Sequence, residues 1–422
     1  SIYDLPIALG YLLAEKEIFF NPKYKLIFGE LALDGKLRPI KGAICFSILA
    51  KERGFSEIIL PKENAKEAAL IEGVRAIGVS SLKEAIEYLE KRKKIEPEKV
   101  DVKNLRENYQ IDFAFIKGQR FAKRALEICA GGGHNVLMLG PPGAGKTLLV
   151  KAIPTILPPL SFEESLEVTK IYSIAGLLPK ENPLITKRPF RAPHHTCSEP
   201  ALIGGGNPPR PGEITLAHRG VLFLDEFPEF HRDVLESLRQ PIEEGKIIIS
   251  RARHSVELPA RFILVAASNP CPCGYYGDPE KECKCTLSQI RNYQRKLSGP
   301  LIDRMDLLIN VPNVKYEELV APDEESSEKV RERVILARKI QKERFKKDKT
   351  NSEMEIQEIK KYCEIDSKSE NLLRKYVDSG KLSVRGYHRI LKVARTIADL
   401  EGKEKILFDH VSEALSYRVK EE

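Results

Sequence analysis

The sequence lacks any uninterrupted apolar segment long enough to cross a membrane. A membrane-spanning helix needs about 18 or more largely apolar residues in a row, and no stretch of the 422 residues approaches this length. Ser1 is followed by Ile, Tyr, Asp, Leu and Pro, without the basic and apolar regions of a secretory signal. We therefore expect a cytoplasmic protein that makes no membrane contact.

Cysteine is scarce, and neither sign of charge dominates. Eight Cys are too few for a disulfide-stapled scaffold, and four of them fall within residues 271–285. This clustering favours a metal site in a reducing compartment over disulfides. The chain has 69 Lys and Arg and 61 Asp and Glu, which gives a net charge of +8. Such a mild excess permits a polyanionic partner without requiring one.

The length predicts two to four packed units, and composition divides the chain into three blocks. Residues 1–91 alternate short apolar strands with helical stretches, which predicts a small α/β domain. A charged passage over 92–112 predicts a linker. Residues 113–312 predict an α/β core, and after a second linker, 313–326, apolar positions spaced by three and four residues predict an all-helical domain over 327–422.

A glycine-rich loop lies between the first apolar strand of the central block, 135–139, and an apolar helix. In this context glycines let backbone N–H groups surround the β- and γ-phosphates of a nucleotide, Lys146 neutralises charge, and Thr147 reaches Mg²⁺. The sequence therefore predicts binding of ATP or GTP. The predicted nucleotide contacts are Gly140, Pro141, Pro142, Gly143, Ala144, Gly145, Lys146, Thr147 and Leu148.

Two further strands end in polar residues that suit hydrolysis. The apolar run 220–224 leads into Asp225, which would hold Mg²⁺, and Glu226, which would polarise the attacking water. The run 262–267 leads to Asn269, which would orient that water beside the γ-phosphate. With the glycine-rich loop, these residues indicate an AAA+ ring ATPase on a parallel sheet.

Ring ATPases complete their sites with arginines from a neighbouring subunit, because a cation at the γ-phosphate stabilises the charge of the transition state. Arg304, in the segment 298–306, is one candidate. Arg385 and Arg389, in the helical block, are the others, and the sequence leaves open which of these two serves.

Five segments together resemble the YifB/ComM family of magnesium-chelatase-like AAA+ proteins. They are 118–135, the phosphate loop, 188–195, 211–226 and 269–274. The resemblance covers essentially the whole chain and implies a bacterial hexameric ATPase that acts on single-stranded or branched DNA, as a branch-migration helicase in recombination or natural transformation. It also implies that ATP is the nucleotide, and that Asn269 is the sensor, Arg304 the arginine finger and Arg385 the lid sensor.

The first block resembles the later part of a Lon-protease-like domain, through 29–40 and 58–64. A protease of this type needs a lysine beside its serine, since the hydroxyl requires a base. Ile44 occupies the position of the lysine, and the position of the serine falls on or next to Ile2. The resemblance thus implies a domain without peptidase activity. It also implies an incomplete domain, because family members carry further residues before this point.

Residues 246–259 alternate on both sides of a basic centre and predict a hairpin. In related ring helicases such a hairpin projects into the pore, where cations follow the DNA backbone without sequence preference. A solvated charged turn is the alternative. A second glycine-rich segment, 200–210, would form another pore loop. The predicted DNA contacts are Lys246, Arg251, Arg253 and His254.

The clustered cysteines have the spacing of a closed metal site. Four thiolates suit tetrahedral Zn²⁺ in a structural role, and Gly and Pro residues between the two pairs allow the chain to turn back. Packed or redox-active thiols are the alternative. The adjacent His194 and His195 have no such ligand set, so we assign them a structural or ring-interface role. The predicted zinc ligands are Cys271, Cys273, Cys283 and Cys285.

Two other functions fit the same ATPase core. A protein-remodelling ATPase like the magnesium chelatase motor subunit would use the same nucleotide site, and the basic hairpin favours DNA without excluding a polypeptide in the pore. An ATP-dependent protease is opposed by Ile44 and by the domain order, since the protease-like block precedes the ATPase.

Overall fold

A computed structural model describes most of the chain. The described residues are 1–100, 109, 111–179, 182–206, 209–251, 254–279, 281–296, 301–322 and 324–418, without the side chains of 250, 251 and 254. The first elements are α1 (Asp4–Ala14), β1 (Lys25–Ile27), β2 (Glu30–Leu31), β3 (Leu37–Arg38), α2 (Ala43–Glu52), β4 (Glu57–Pro61), α3 (Ala65–Ala68), β5 (Arg75–Val79), α4 (Leu82–Leu89), α5 (Arg120–Gly132), β6 (Val136–Leu139), α6 (Lys146–Ile156) and α7 (Phe162–Ala175).

The chain continues with many short elements and ends in long helices. In order, these are β7 (Phe190–Arg191), α8 (Glu199–Ile203), β8 (Gly204–Gly205), β9 (Arg210–Pro211), α9 (Glu213–Leu216), β10 (Val221–Leu224), α10 (Arg232–Glu236), α11 (Arg239–Glu244), β11 (Lys246–Arg251), β12 (His254–Pro259), β13 (Ile263–Ser268), α12 (Leu287–Lys296), β14 (Leu307–Asn310), α13 (Tyr316–Leu319), α14 (Ser327–Phe345), α15 (Ile356–Tyr362), α16 (Ser367–Asp378), α17 (Val384–Leu400) and α18 (Phe408–Ser416).

Two compact units share the chain, and the first combines Ser1–Glu107 with Leu160–Lys187. Its main sheet has the parallel order β1-β4-β5. The sequence places 160–187 in the ATPase core, whereas here Leu166 and Leu184 pack on Ile44 in the first unit. An apolar helix pattern shows that a face is buried but not which core buries it.

A buried carboxylate reinforces this attachment of the inserted segment. Glu67 accepts a hydrogen bond from Ile44 N (2.8 Å) and another from the Ser173 hydroxyl of α7. Burial raises the pKa of the Glu67 carboxyl. Ile44 is fully buried among apolar side chains, so this position supplies no base.

The second unit, Asn108–Pro159 with Arg188–Glu422, contains a five-stranded parallel sheet. The strand order is β14-β6-β13-β10-β7, and every neighbouring pair is parallel. The predicted α/β fold with a parallel sheet is confirmed, and the three strands predicted from apolar runs lie within one residue of their observed bounds. Since the strands are parallel, the loops after β6, β10 and β13 meet at one edge.

Helices α14 to α18 form the C-terminal part of this unit, as the apolar spacing predicts. Their buried residues, including Val334 and Ala394, join the core cluster of α5, α6 and the sheet. The segment 313–326, predicted as a linker, contains α13, and Glu324 Oε2 accepts a hydrogen bond from Lys123 Nζ (2.6 Å). In the described part of the chain, no helix has the length and apolar character to cross a bilayer.

At the amino edge of the sheet, Asp306 ties the first residues of two strands to the helical part. It accepts a hydrogen bond from Asn135 N (3.0 Å) before β6 and pairs with Arg389 Nη1 of α17 (2.5 Å), while His134 Nδ1 lies 3.4 Å away. Burial alone would raise the pKa of Asp306, but the His134 hydrogen bond and the Arg389 charge outweigh it and hold that pKa well below its usual range.

Candidate nucleotide-hydrolysis site

The glycine-rich loop leaves the carboxyl end of β6 and leads into α6. Gly143 and Gly145 have φ values of 82° and 84°. Residues with a Cβ rarely adopt this left-handed conformation, so glycine is required for the loop to turn its N–H groups toward a common centre. The helix begins at Lys146, and its amino end provides unpaired N–H groups of the kind that bind phosphate.

Lys146 brings the loop and the end of β13 together. Its Nζ donates to Gly140 O (2.6 Å), Pro141 O (2.9 Å) and Asn269 Oδ1 (3.1 Å). The side chain is largely buried, and desolvation lowers the pKa of its ammonium group. Asn269, which follows β13, and Lys146, the first residue of α6, are thus in direct contact.

Thr147 and Asp225 form an oxygen pair suited to Mg²⁺. The Thr147 hydroxyl donates to Asp225 Oδ2 at 3.0 Å. Adjacent ligands of an octahedral ion bound at 2.0–2.1 Å lie about 2.9 Å apart. The two residues predicted to hold Mg²⁺ therefore already have the separation that the ion requires.

Glu226 follows Asp225 in a left-handed conformation, with φ of 51°. Its side chain is half-exposed, and its Oε2 lies 2.9 Å from His195 Nδ1. The sequence predicts a structural or ring-interface role for His195 and does not reveal this contact. The contact follows from the register of β7 and β10, which pairs Phe190 with Val221 and, when continued, sets residue 195 opposite 226.

The candidate arginines lie at the other edge of the sheet. Arg304 precedes β14 and pairs with Glu243, and about 13 Å of strand separates it from the edge that carries the phosphate loop. Arg389 is held by Asp306 and by Arg304 O, which accepts a hydrogen bond of 3.2 Å. Arg385, one turn earlier in α17, is exposed. Arg304 and Arg389 thus lie at the amino edge of the sheet, and the phosphate loop lies at its carboxyl edge.

The four clustered cysteines converge although the sequence separates them into two pairs. All four Sγ atoms lie within 4.8 Å of one another, and the resolved Sγ–Sγ distances are 3.4, 3.6 and 3.7 Å. Four sulfurs around Zn²⁺ at about 2.3 Å would be about 3.8 Å apart. A backbone hydrogen bond from Tyr275 is the largest cause that lowers the pKa of Cys273, to about 6. The thiols therefore fit a tetrahedral metal.

The predicted hairpin is confirmed. Strands β11 and β12 pair antiparallel. Lys246 lies opposite Pro259 at the base of the hairpin, and Arg251 lies opposite His254 beside the turn. Arg253 lies outside the described residues, as do the side chains of Arg251 and His254. Lys246 is at the base, where its Nζ donates to Glu257 Oε2 (2.9 Å). The structure therefore places Lys246 away from the tip that we predicted to contact DNA.

Comparison with known sequences agrees with this site. Residues 112–319 match the family described as "Magnesium chelatase, subunit ChlI", 324–418 match "Magnesium chelatase, subunit ChlI C-terminal", and 1–64 match "Subunit ChlI of Mg-chelatase". The chain is 43% identical to the competence protein ComM of Haemophilus influenzae over 99% of its own length and 82% of the relative. The chain belongs to the YifB/ComM family of magnesium-chelatase-like proteins. Within this family, it is 42% identical to YifB of Escherichia coli, covering 99% of this chain and 81% of YifB.

A more distant relative matches a smaller share of the chain. The magnesium-chelatase 38 kDa subunit of Cereibacter sphaeroides is 27% identical over 37% of this chain and 52% of the relative. The family and the geometry of Lys146, Thr147 and Asp225 identify the chain as an AAA+ ATPase that uses ATP and Mg²⁺.

The site predicts separate effects on nucleotide binding and on chemistry. Lys146→Ala should abolish ATP binding, because it removes the cation that meets the phosphates. Glu226→Gln should leave ATP binding intact and lower kcat by about 100-fold or more, because only water activation is lost. ATP affinity and turnover of both variants test this. Glu229→Gln, an exposed carboxylate in the same turn, is the control. A Glu226→Gln variant with normal turnover would exclude Glu226 from the mechanism.

Proposed function

We propose that this protein is an ATP-dependent DNA translocase that drives branch migration on single-stranded or branched DNA in recombination or natural transformation. The observation that carries the proposal is the position of the hairpin in the ATPase core. Its second strand, β12, is followed after three residues by β13, which leads to Asn269 beside Lys146. Likeness to a competence protein supports the choice of DNA.

Packing connects the hairpin to the hydrolytic residues as well. Ile247 and Ile249 of β11 are buried in one cluster with Leu222 and Leu224 of β10, the strand that ends at Asp225. Ile248 between them is exposed, as expected for a two-stranded ribbon with one packed face. A force on the hairpin tip would therefore be transmitted to the strand that presents Asp225 and Glu226.

In the proposed reaction the residues of this chain position ATP and activate water. Lys146 exchanges its carbonyl partners for the phosphates, and Asn269 orients the water toward the γ-phosphate. Glu226 accepts the proton of that water as it attacks. Thr147 and Asp225 would hold Mg²⁺, which neutralises charge on the β- and γ-phosphates when it is bound.

The competing function is remodelling of a protein, as in a magnesium-chelatase motor. Its support is the match of residues 112–319 and 324–418 to the magnesium-chelatase families, together with 27% identity to the 38 kDa subunit over 37% of this chain. The N-terminal unit, which we propose is a Lon-like domain without peptidase activity, does not discriminate between the two functions. We place both alternatives in the cytoplasm, where thiols stay reduced.

Assembly into a ring, which we propose is hexameric, follows from the position of the arginines. Arg304 precedes β14 at the amino edge of the sheet, and Arg385 lies one helical turn before Arg389, which is bonded to the same edge, whereas the phosphates would bind at the carboxyl edge. An arginine finger must come within contact distance of the γ-phosphate. Both residues therefore serve the site of a neighbouring subunit, and Arg385 is the better lid sensor because Arg389 is engaged by Asp306.

Subunit mixing tests this shared site. Arg304→Ala and Glu226→Gln should each be inactive alone, whereas equal mixing should restore turnover at about one interface in four, where both intact residues meet. Mixed rings would be confirmed by isolating two differently tagged variants together. Confirmed mixed rings without any recovery would show that Arg304 serves its own subunit or none.

Salt dependence of DNA binding tests the hairpin. Replacing Arg251 and Arg253 together by Ala should weaken binding to single-stranded DNA and reduce the slope of log Kd against log salt by about 1.4, or about 0.7 per phosphate contact. Lys246→Ala is the matched control, since its partner Glu257 lies at the base, and it should keep the wild-type slope. ATPase activity without DNA should persist in both the double Arg variant and Lys246→Ala. If the Arg variant keeps the wild-type slope, DNA binds elsewhere. If the wild-type protein has no DNA affinity, the remodelling function is favoured.

We also propose that Cys271, Cys273, Cys283 and Cys285 hold one structural Zn²⁺. The cluster lies beside the phosphate loop, since a Cβ on Gly274 would collide with the Pro142 ring. It also begins two residues after Asn269. A closed Cys₄ site leaves no position for a reacting water, so the metal would support the ends of the loop and of β13 rather than take part in chemistry.

Metal analysis tests the zinc proposal. Protein purified without added metal should contain about one equivalent of zinc, and Cys283→Ser should lower the unfolding temperature while ATP binding persists. Cys45 is a free thiol in the first unit, so Cys45→Ser is the control. This variant should keep the zinc bound at the four clustered cysteines. If the wild-type protein contains less than about a tenth of an equivalent of zinc, and all four clustered thiols titrate freely, the proposal is contradicted.

A further inference from the structure

Arg389 of α17 contacts the segment that carries Arg304 at two points. Its Nη1 donates to Asp306 Oδ1 (2.5 Å) and to the backbone O of Arg304 (3.2 Å). The Asp306 side chain is almost fully buried, and most of the Arg389 side chain is covered. One nitrogen of α17 thus binds both a carboxylate and a backbone carbonyl immediately before β14, although the hydrolytic mechanism gives Arg389 no role.

The same segment is also fixed to the central strands of the sheet. Asn135, just before β6, donates from its backbone N to Asp306 Oδ2 (3.0 Å) and from Nδ2 to Arg304 O (3.5 Å). Its Oδ1 accepts a hydrogen bond from Leu264 N of β13 (2.9 Å). The amino ends of β6, β13 and β14 therefore share one polar junction, and Arg389 joins α17 to it.

This junction acts on the backbone of Arg304, because the Arg304 side chain pairs elsewhere, with Glu243 of α11. Arg304 O is held by Arg389 and by Asn135, so the side chain extends from a fixed point of the main chain. A displacement of about 1 Å at a reacting centre can lower the rate by about 100-fold. An arginine that must meet a γ-phosphate therefore depends on such a fixed origin.

Arg385 is carried by the turn of α17 that Arg389 anchors. It lies four residues before Arg389, about 6 Å along the helix axis, and its side chain is exposed. Side chains four residues apart project from the same face of a helix. Ser383 caps the helix by accepting a hydrogen bond from Gly386 N (3.1 Å), which fixes the first turn. The positions of Arg304 and Arg385 are therefore both set by Arg389.

We propose that Arg389 is a positioning residue that holds Arg304 and Arg385 in a fixed relation, so that both reach the nucleotide of the neighbouring subunit together. This inference rests on the proposed ring, in which both arginines serve a shared site. Without Arg389, α17 loses its bonds to Asp306 and to Arg304 O, and the two arginines shift independently. Hydrolysis is then lost at the neighbouring site, while the altered subunit keeps its own phosphate loop and carboxylates.

Turnover and nucleotide affinity of Arg389 variants give the first measurement. Arg389→Ala should lower kcat by about 10- to 100-fold, as expected for misplaced arginines, with unchanged affinity for a non-hydrolysable ATP analogue. Arg389→Lys keeps a cation with N–H donors for both acceptors, so its kcat should lie closer to the wild-type value than to that of Arg389→Ala. Arg344 pairs with the buried Asp399 within the helical part (2.8 Å). Arg344→Lys is therefore the control and should keep a normal kcat.

Asp306→Asn guards the test against misfolding. Arg389→Ala leaves the buried Asp306 carboxylate without its arginine, and removing one partner of a buried pair destabilises a fold. Asp306→Asn opens the same junction without leaving a buried anion, and it keeps an oxygen for Asn135 N. It should lower kcat as Arg389→Ala does. Analogue binding and the unfolding temperature establish that each variant is folded. If Arg389→Ala does not bind the analogue, Asp306→Asn replaces it in every comparison.

Subunit mixing separates positioning of the arginines from damage to the subunit's own site. Arg389→Ala mixed equally with Glu226→Gln should recover turnover at about one interface in four, where intact arginines meet an intact Glu226. Arg389→Ala mixed with Arg304→Ala should recover none, because every subunit then presents a defective pair of arginines. Damage to the nucleotide site of the altered subunit itself predicts the opposite pattern, with recovery beside Arg304→Ala and none beside Glu226→Gln.

The mixture of Arg304→Ala with Glu226→Gln is the reference for these outcomes. If confirmed mixed rings of this reference pair do not recover, the shared site is wrong and the inference fails with it. If the reference pair recovers but Arg389→Ala keeps a normal kcat, or shows the opposite mixing pattern, the shared site holds and Arg389 does not position its arginines.

Discussion

The parallel register of five strands is the constraint on which the site depends. Because all strands run the same way, the phosphate loop after β6, Asp225 after β10 and Asn269 after β13 must emerge at one edge. This arrangement brings the buried Lys146 ammonium to the Asn269 amide oxygen across 123 residues of sequence. An antiparallel neighbour would place one of these side chains at the opposite edge, and the pairs that contact ATP, Mg²⁺ and water could not form.

The same register places Arg304 at the opposite edge of the sheet. Asp306 fixes the starts of β6 and β14 and binds Arg389, so α17 is attached to the edge that carries Arg304. The depressed pKa of Asp306 favours the charged form of this carboxylate and so its ion pair with Arg389. A ring built from such subunits would place catalytic carboxylate and arginine on different chains, and hydrolysis would then require assembly.

Glycine and cysteine residues shape the surroundings of the carboxyl edge of the sheet. Gly274 lets the cysteine cluster lie against Pro142 of the phosphate loop, and Gly204 lets the β8–β9 ribbon lie against the hairpin. Both are close approaches of backbone that a side chain would block. Through them, the cysteine cluster contacts the phosphate loop, and the β8–β9 ribbon contacts the hairpin.

The sequence by itself determined the features that lie within one short, continuous segment of the chain. The phosphate loop, Asp225 and Glu226, the hairpin and the three core strands follow from local spacing, since a loop of eight residues or a strand of five carries its own geometry. Tertiary structure decided what depends on distant partners. These are the attachment of 160–187 to the first unit, the pairing of Lys246 at the hairpin base, the position of Arg304 at the edge of the sheet opposite the phosphate loop, and the contact of His195 with Glu226. Local patterns state that a face is buried or charged, but the partner is chosen by strand order and register, which only the folded chain defines.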